Sequence, residues 1–143
     1  MEKIVVKIAN LDKPNYNNTV ISKQALESAI NKLGDCSIPV FLGDNSRNYE
    51  FPDIIGKAKV DVDYPNMQID VDLLETEISK YMLNSLYSGV GGFVPGGFAK
   101  YDKNEIIDAT INHISYINNP IYETKYVIVR EKDEWATSNG TRI

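Results

Sequence analysis

The chain has 143 residues, 43% of them hydrophobic and 24% charged, with a formal net charge of −5. That length and composition fit a single folded domain whose core needs no disulfide or metal staple, and the lone Cys36 rules out an internal disulfide framework. The lysines are scattered among acids, which argues against the clustered basic surface that nucleic acid or anionic membrane requires, and no apolar run approaches transmembrane length.

The N-terminal stretch MEKIVVKIANLD is charged and strand-like rather than a signal peptide, so a cytoplasmic setting is expected. Lys3 to Ala9 alternates around Ile4, Val6 and Ile8 and predicts a first strand. Leu11–Thr19 is rich in turn residues and predicts a loop. Ser22 is placed to cap a helix through its hydroxyl; Leu26, Ala29, Ile30 and Leu33 then share one face, and Gly34 ends it. Ile38–Leu42 (IPVFL) suits a short buried strand and leads into a polar loop. Ile54–Asp63 alternates, with Ile55, Ala58, Val60 and Val62 as candidate core positions. After a turn at Tyr64–Asn66 the alternation runs the other way, with Met67, Ile69, Val71 and Leu73 on one face and Gln68, Asp70 and Asp72 on the other. The two stretches predict an antiparallel hairpin with one solvated face.

Thr76 can cap a second helix, in which Ile78, Met82, Ser85 and Leu86 keep helical spacing up to Gly89. The glycine-rich segment GVGGFVPGGFAK (Gly89–Lys100) follows. Glu105–Ile117 predicts a long strand, broken at Asn118, Asn119 and Pro120 because proline has no amide for a ladder. Tyr126–Val129 predicts a last short strand. The order of elements predicts an α+β domain over residues 1–129: two main helices on an antiparallel sheet, open or closed into a barrel. A polar C-terminal tail is expected over 130–143.

Which chemistry could these residues support? A phosphate-binding P-loop ends in Gly-Lys followed by a hydroxyl residue, whereas here the glycines run into Phe98, Ala99 and Lys100. A dinucleotide fingerprint opens a helix after a strand, and here a helix precedes the glycines and a strand follows. The glycines instead suit tight backbone packing where strands bend. His113 is the only histidine, which argues against zinc. Asp61, Asp63, Asp70 and Asp72 lie on facing strands and could meet around a hard cation, but such acids are more often the solvated face of a hairpin. No metal or cofactor is expected. Ser85, Ser88 and Ser115 are the available hydroxyl nucleophiles, and His113 is the only imidazole base; it shares one strand face with Ser115.

IPVFLGDN (38–45), IIGKAKV (54–60), a helix ending in YSG (87–89), PGGFAK (95–100) and NHISYINNPIY (112–122) occur in that order. Over about residues 36 to 128 the chain thereby resembles the prohead (head-maturation) proteases of tailed phages, which share a fold with herpesvirus assemblin. The most specific part is His113–Ile114–Ser115 with Asn119–Pro120–Ile121–Tyr122. The resemblance implies a prohead protease-like fold, and it makes the departures informative. Where the family carries its first histidine, this chain has Gly43, Asp44 and Asn45. Where the family carries its serine, before a Gly-Phe pair, this chain has Pro95, or Val90 under a shifted alignment. His113 matches the third triad position, which is His or Glu in the family. Asn45, Pro95 and His113 are thus the positions of a degenerate site. An orienting residue with nothing to orient does no acid–base work, and losing both nucleophile and base removes the covalent route. His113 is then expected to be a partly buried strand residue held by a local hydrogen bond.

The implied function is that of a non-enzymatic structural protein of the phage virion, an auxiliary, decoration or cement protein of the capsid, assembled in the host cytoplasm. The expected partners are the major capsid protein and neighbouring virion proteins, without nucleic acid, membrane or small-molecule ligand. The nine tyrosines suit an adhesive surface and equally suit sheet packing. Two alternatives stand beside this reading: an active head-maturation serine protease using Ser88 or Ser115 with His113, and an assembly scaffold subunit absent from mature particles. Candidate interface residues are Arg47, Tyr49 and Phe51 in one polar loop, Tyr16 in another, and Trp135 near the C-terminus.

Overall fold

The computed structural model describes residues 2–8, 10–43, 54–118, 120 and 124–130. The alternating N-terminal segment forms β1 (Glu2–Ile8), with Ile4, Val6 and Ile8 buried. A loop leads to β2 (Val20–Ile21) and α1 (Lys23–Leu33). The Ser22 hydroxyl accepts from the Ala25 amide at 3.0 Å and so satisfies one of the amides left open at the helix start. Gly34 ends the helix at φ 60°, a region that penalises residues with a β-carbon. Ala25, Leu26 and Ala29 form its buried face, with Ile30 and Leu33 packed at the core margin. The chain continues as β3 (Ile38–Leu42), β4 (Ile54–Asp63), β5 (Asn66–Leu73), α2 (Glu77–Tyr87), β6 (Gly92–Asp102), β7 (Glu105–Ile117) and β8 (Thr124–Arg130).

The strands form one curled, open sheet, a half-barrel, in the order β8–β1–β5–β4–β3–β7–β6, with β2 also lying on β7. β4 and β5 make the expected hairpin, closed by Tyr64 and Pro65 across a cis peptide, with Asp63 opposite Asn66. Its buried face carries Ala58, Val60, Met67, Ile69, Val71 and Leu73, while Val62 is half-buried. Each valine, isoleucine, leucine or methionine side chain buried in this way contributes about 1.5–3 kcal/mol relative to exposure. The loop after β1 is tied to the hairpin tip by Leu11 N donating to Pro65 O (2.7 Å) and the Tyr64 hydroxyl donating to Asp12 Oδ2 (3.0 Å).

Three expectations need correction. First, the sheet is mixed rather than antiparallel: β7 runs parallel to β2, with Val20 opposite Glu105, and parallel to β3, with Val40 opposite Ile114. Parallel neighbours need a long connection, and here β4, β5, α2 and β6 supply it between β3 and β7. Second, α2 does not turn Ile78 fully inward; Ile78 stays 38% exposed while Ser79 is 3% exposed. The cause lies in β4. Val40 faces Gly56 but Phe41 faces Ile54, so Ile55 is an extra residue that shifts the inward set along the strand. The buried Ile55 carbonyl accepts from Leu74 N (2.9 Å) and from the Ser79 hydroxyl (3.0 Å), and a buried polar group requires such partners. Most of the glycine-rich segment is strand, and β6 pairs with β7 along its length. Third, β8 is longer than Tyr126–Val129, reaching the Glu2–Arg130 pair. Residues 131–143 lie outside the described residues.

Candidate functional site

The residues singled out by the glycine-rich segment and by His113 do come together, at the junction of β3, β6 and β7. Pro95 pairs with Ile114, Gly96 with His113, Val94 with Ser115, and Phe41 of β3 lies beside Ser115 on the other side. Asn112 is an extra residue in β7, because Gly96 faces His113 while Gly97 faces Ile111. The His113 ring occupies the space over Gly96 that a β-carbon would need. Its Nδ1 lies 2.6 Å from Asn112 Oδ1; with that oxygen as acceptor, the proton is assigned to Nδ1. The ring also contacts Phe41, with centroids 5.7 Å apart and planes tilted by 55°. His113 is therefore a half-buried strand residue with a local hydrogen bond, as its sequence context implies.

The hydroxyls are otherwise occupied or enclosed. Ser88, at the C-cap of α2, donates to Asn84 O at 3.0 Å, and Ser85 donates to Tyr81 O at 3.2 Å. Ser115 is 4% exposed between Phe41 and Val94. β6 itself carries no serine or threonine. At its entrance, Gly91 adopts φ 84°, and the Tyr116 hydroxyl donates to Val90 O; a β-carbon at Gly91 would lie 2.9 Å from the Tyr116 ring. Tyr116 packs edge-on against the fully buried Phe93, with centroids 5.2 Å apart. These glycines thus let aromatic and imidazole rings lie directly on the backbone of a neighbouring strand.

The carboxylates of the hairpin do not converge. Asp63 meets Lys7 at 2.5 Å and Asp72 meets Lys3 at 3.7 Å, while Asp70 faces Lys59 and Asp61 accepts from Val62 N. The result is a groove of about 630 Å³ on the outer sheet face, with lysines and aspartates interleaved. Among the described residues, no three His, Cys, Asp or Glu side chains are grouped so as to hold a metal ion. No helix among them is long and apolar enough to cross a membrane.

Of the candidate interface residues, Tyr16 is 73% exposed. Asn45, Arg47, Tyr49, Phe51 and Trp135 lie outside the described residues. Two features were missed from sequence. One is a half-open pocket of about 290 Å³ lined by Asn15, Leu26, Met67, Phe98 and Ile111 among others, with the buried Asn15 Nδ2 finding no partner among the described residues. The other is the far half of β6, where Phe98 and Tyr101 are 75% and 56% exposed. Only the alternation of that stretch could have signalled it, and the glycines mask the alternation. No family model, curated protein or solved structure matches the chain.

Proposed function

We propose that this chain is a non-enzymatic structural protein of a tailed-phage virion: an auxiliary, decoration or cement protein bound to the capsid shell, built on a prohead protease-like scaffold that has lost its catalytic groups. The observation that carries this reading is the pairing of Pro95 with Ile114 and of Gly96 with His113. The strand that would bear the nucleophile in such a protease offers no hydroxyl beside the one histidine. The order β3, hairpin, α2, β6, β7 supports the scaffold assignment, because the resemblance implies that order. The engaged Ser88 and the enclosed Ser115 weigh against the alternative of an active protease.

The test is the protein composition of purified mature particles of the source phage, joined to a cleavage assay on the major capsid precursor. The expected result is a high copy number in the particle and no cleavage. Absence from the particle with cleavage that vanishes in His113→Ala would establish the protease instead. Absence from the particle without cleavage would point to an assembly scaffold.

A further inference from the structure

We infer that β6 is a self-association edge: Gly96–Asp102 pairs antiparallel with the same strand of a second copy, centred on Ala99, and joins two sheets about a twofold axis. This goes beyond the virion reading and does not depend on it.

β6 pairs with β7 along one side, and among the described residues nothing pairs with the other. Gly92 and Phe93 are buried, but every residue from Gly97 to Asp102 is exposed. A free edge presents a row of unused amides and carbonyls, and proteins usually blunt such edges with proline or bulges. Here the blunting is incomplete. Both extra residues of the β6–β7 ladder, Asn112 and Ile107, fall in β7, so β6 runs unbroken, and past Pro95 it contains no proline.

Symmetry restricts the register. Side chains alternate between faces, and residues opposite one another share a face. In a twofold antiparallel ladder one residue must therefore face its own copy. Centring on Lys100 sets two ammonium groups against each other. Centring on Tyr101 leaves a ladder only from Lys100 to Asp102, because the turn at Lys103 follows. Centring on Phe98 draws in Pro95 and the half-buried Val94. Centring on Ala99 uses all seven residues from Gly96 to Asp102. It places Phe98 opposite Lys100 of the copy and Tyr101 opposite Gly97, each twice, with no like charges facing. An ammonium near an aromatic ring is attractive, and an aromatic side chain covers the bare backbone of a facing glycine. This self-complementarity selects a second copy rather than an unrelated strand.

Sedimentation equilibrium of the full chain across a concentration series should show a monomer–dimer equilibrium. Phe98→Lys should weaken the dimer about tenfold or more, since the introduced lysine then faces Lys100 of the copy. Adding Lys100→Glu should restore it, because opposite charges then face. A register centred on Phe98 would not be rescued, since the introduced lysine would face itself. Phe98 is largely exposed, so its substitution leaves the core intact, and circular dichroism verifies the fold of each variant. Amide exchange over 97–101 should slow as concentration rises. A wild-type chain that stays monomeric throughout, a Phe98→Lys dimer as tight as wild type, or failure of the double substitution to recover dimer would each overturn the inference.

Discussion

Gly96 shows how a single residue can be fixed by what lies across from it. Its φ is outside the left-handed region, so an alanine there meets no backbone penalty; the obstacle is the His113 ring over its Cα. Gly96→Ala should therefore lower stability by about 1–3 kcal/mol, the usual range for overpacking. The measurement is a urea midpoint that falls with an unchanged slope. Combining it with His113→Ala should recover most of the loss; simple additivity of the two would show that the ring is not what demands glycine. At this scale the sequence was partly legible. Five glycines around Pro95 announced an unusual backbone, and Ser22 and Thr76 announced caps that formed, the Thr76 hydroxyl accepting from Ser79 N at 3.2 Å. That His113 is the partner of Gly96 could not be read, because seventeen positions separate them and two extra residues in β7 set their register.

Between elements, the docking of α1 on β7 rests on polar contacts as well as on the apolar face. Asp108 accepts from the Ser28 hydroxyl at 2.7 Å and from Lys32 Nζ at 3.1 Å, and Lys32 also donates to Ala109 O at 3.0 Å. The Ser28 hydrogen bond, then that of Lys32, holds the Asp108 carboxyl below the usual carboxylate range. A depressed folded pKa means that this contribution is fully present above the unfolded value, about pH 4, and is lost as pH falls through the lower folded value. Asp108→Asn should therefore be less stable than wild type near neutrality, with the difference closing in acid. Thermal unfolding of both chains between neutral and acid pH measures it, and a gap that ignores pH would sink the linkage. Ser28 and Lys32 are four apart on a helix, so their common face was readable; their meeting with Asp108 was not. The inward face of α2 departs from expectation at Ile78, where its neighbour Ser79 turns in and donates to the buried Ile55 carbonyl beside the bulge in β4.

On the largest scale, charges of opposite sign alternate across part of the sheet. Across β1, β5 and β4, Lys3, Asp72 and Lys57 lie in register, as do Asp70 and Lys59, so among the described residues this part of the outer face mixes both signs. With a net charge of −5, the chain should not retard duplex DNA at physiological salt, and micromolar retardation would contradict the proposed set of partners. By itself the sequence determined the local features: both helix caps, the hairpin with its two faces, the extent of β7 from Glu105 to Ile117, and the absence of a hydroxyl at Pro95. Such features depend on neighbours a few residues away, whose periods of two and 3.6 are written in the chain. Only the tertiary structure decided that β3 and β7 run parallel, that the sheet stays open, that His113 lies on Gly96, and that among the described residues nothing pairs with the outer edge of β6. Those depend on contacts between segments distant in sequence, and a one-residue bulge, invisible to periodicity, is enough to redirect them.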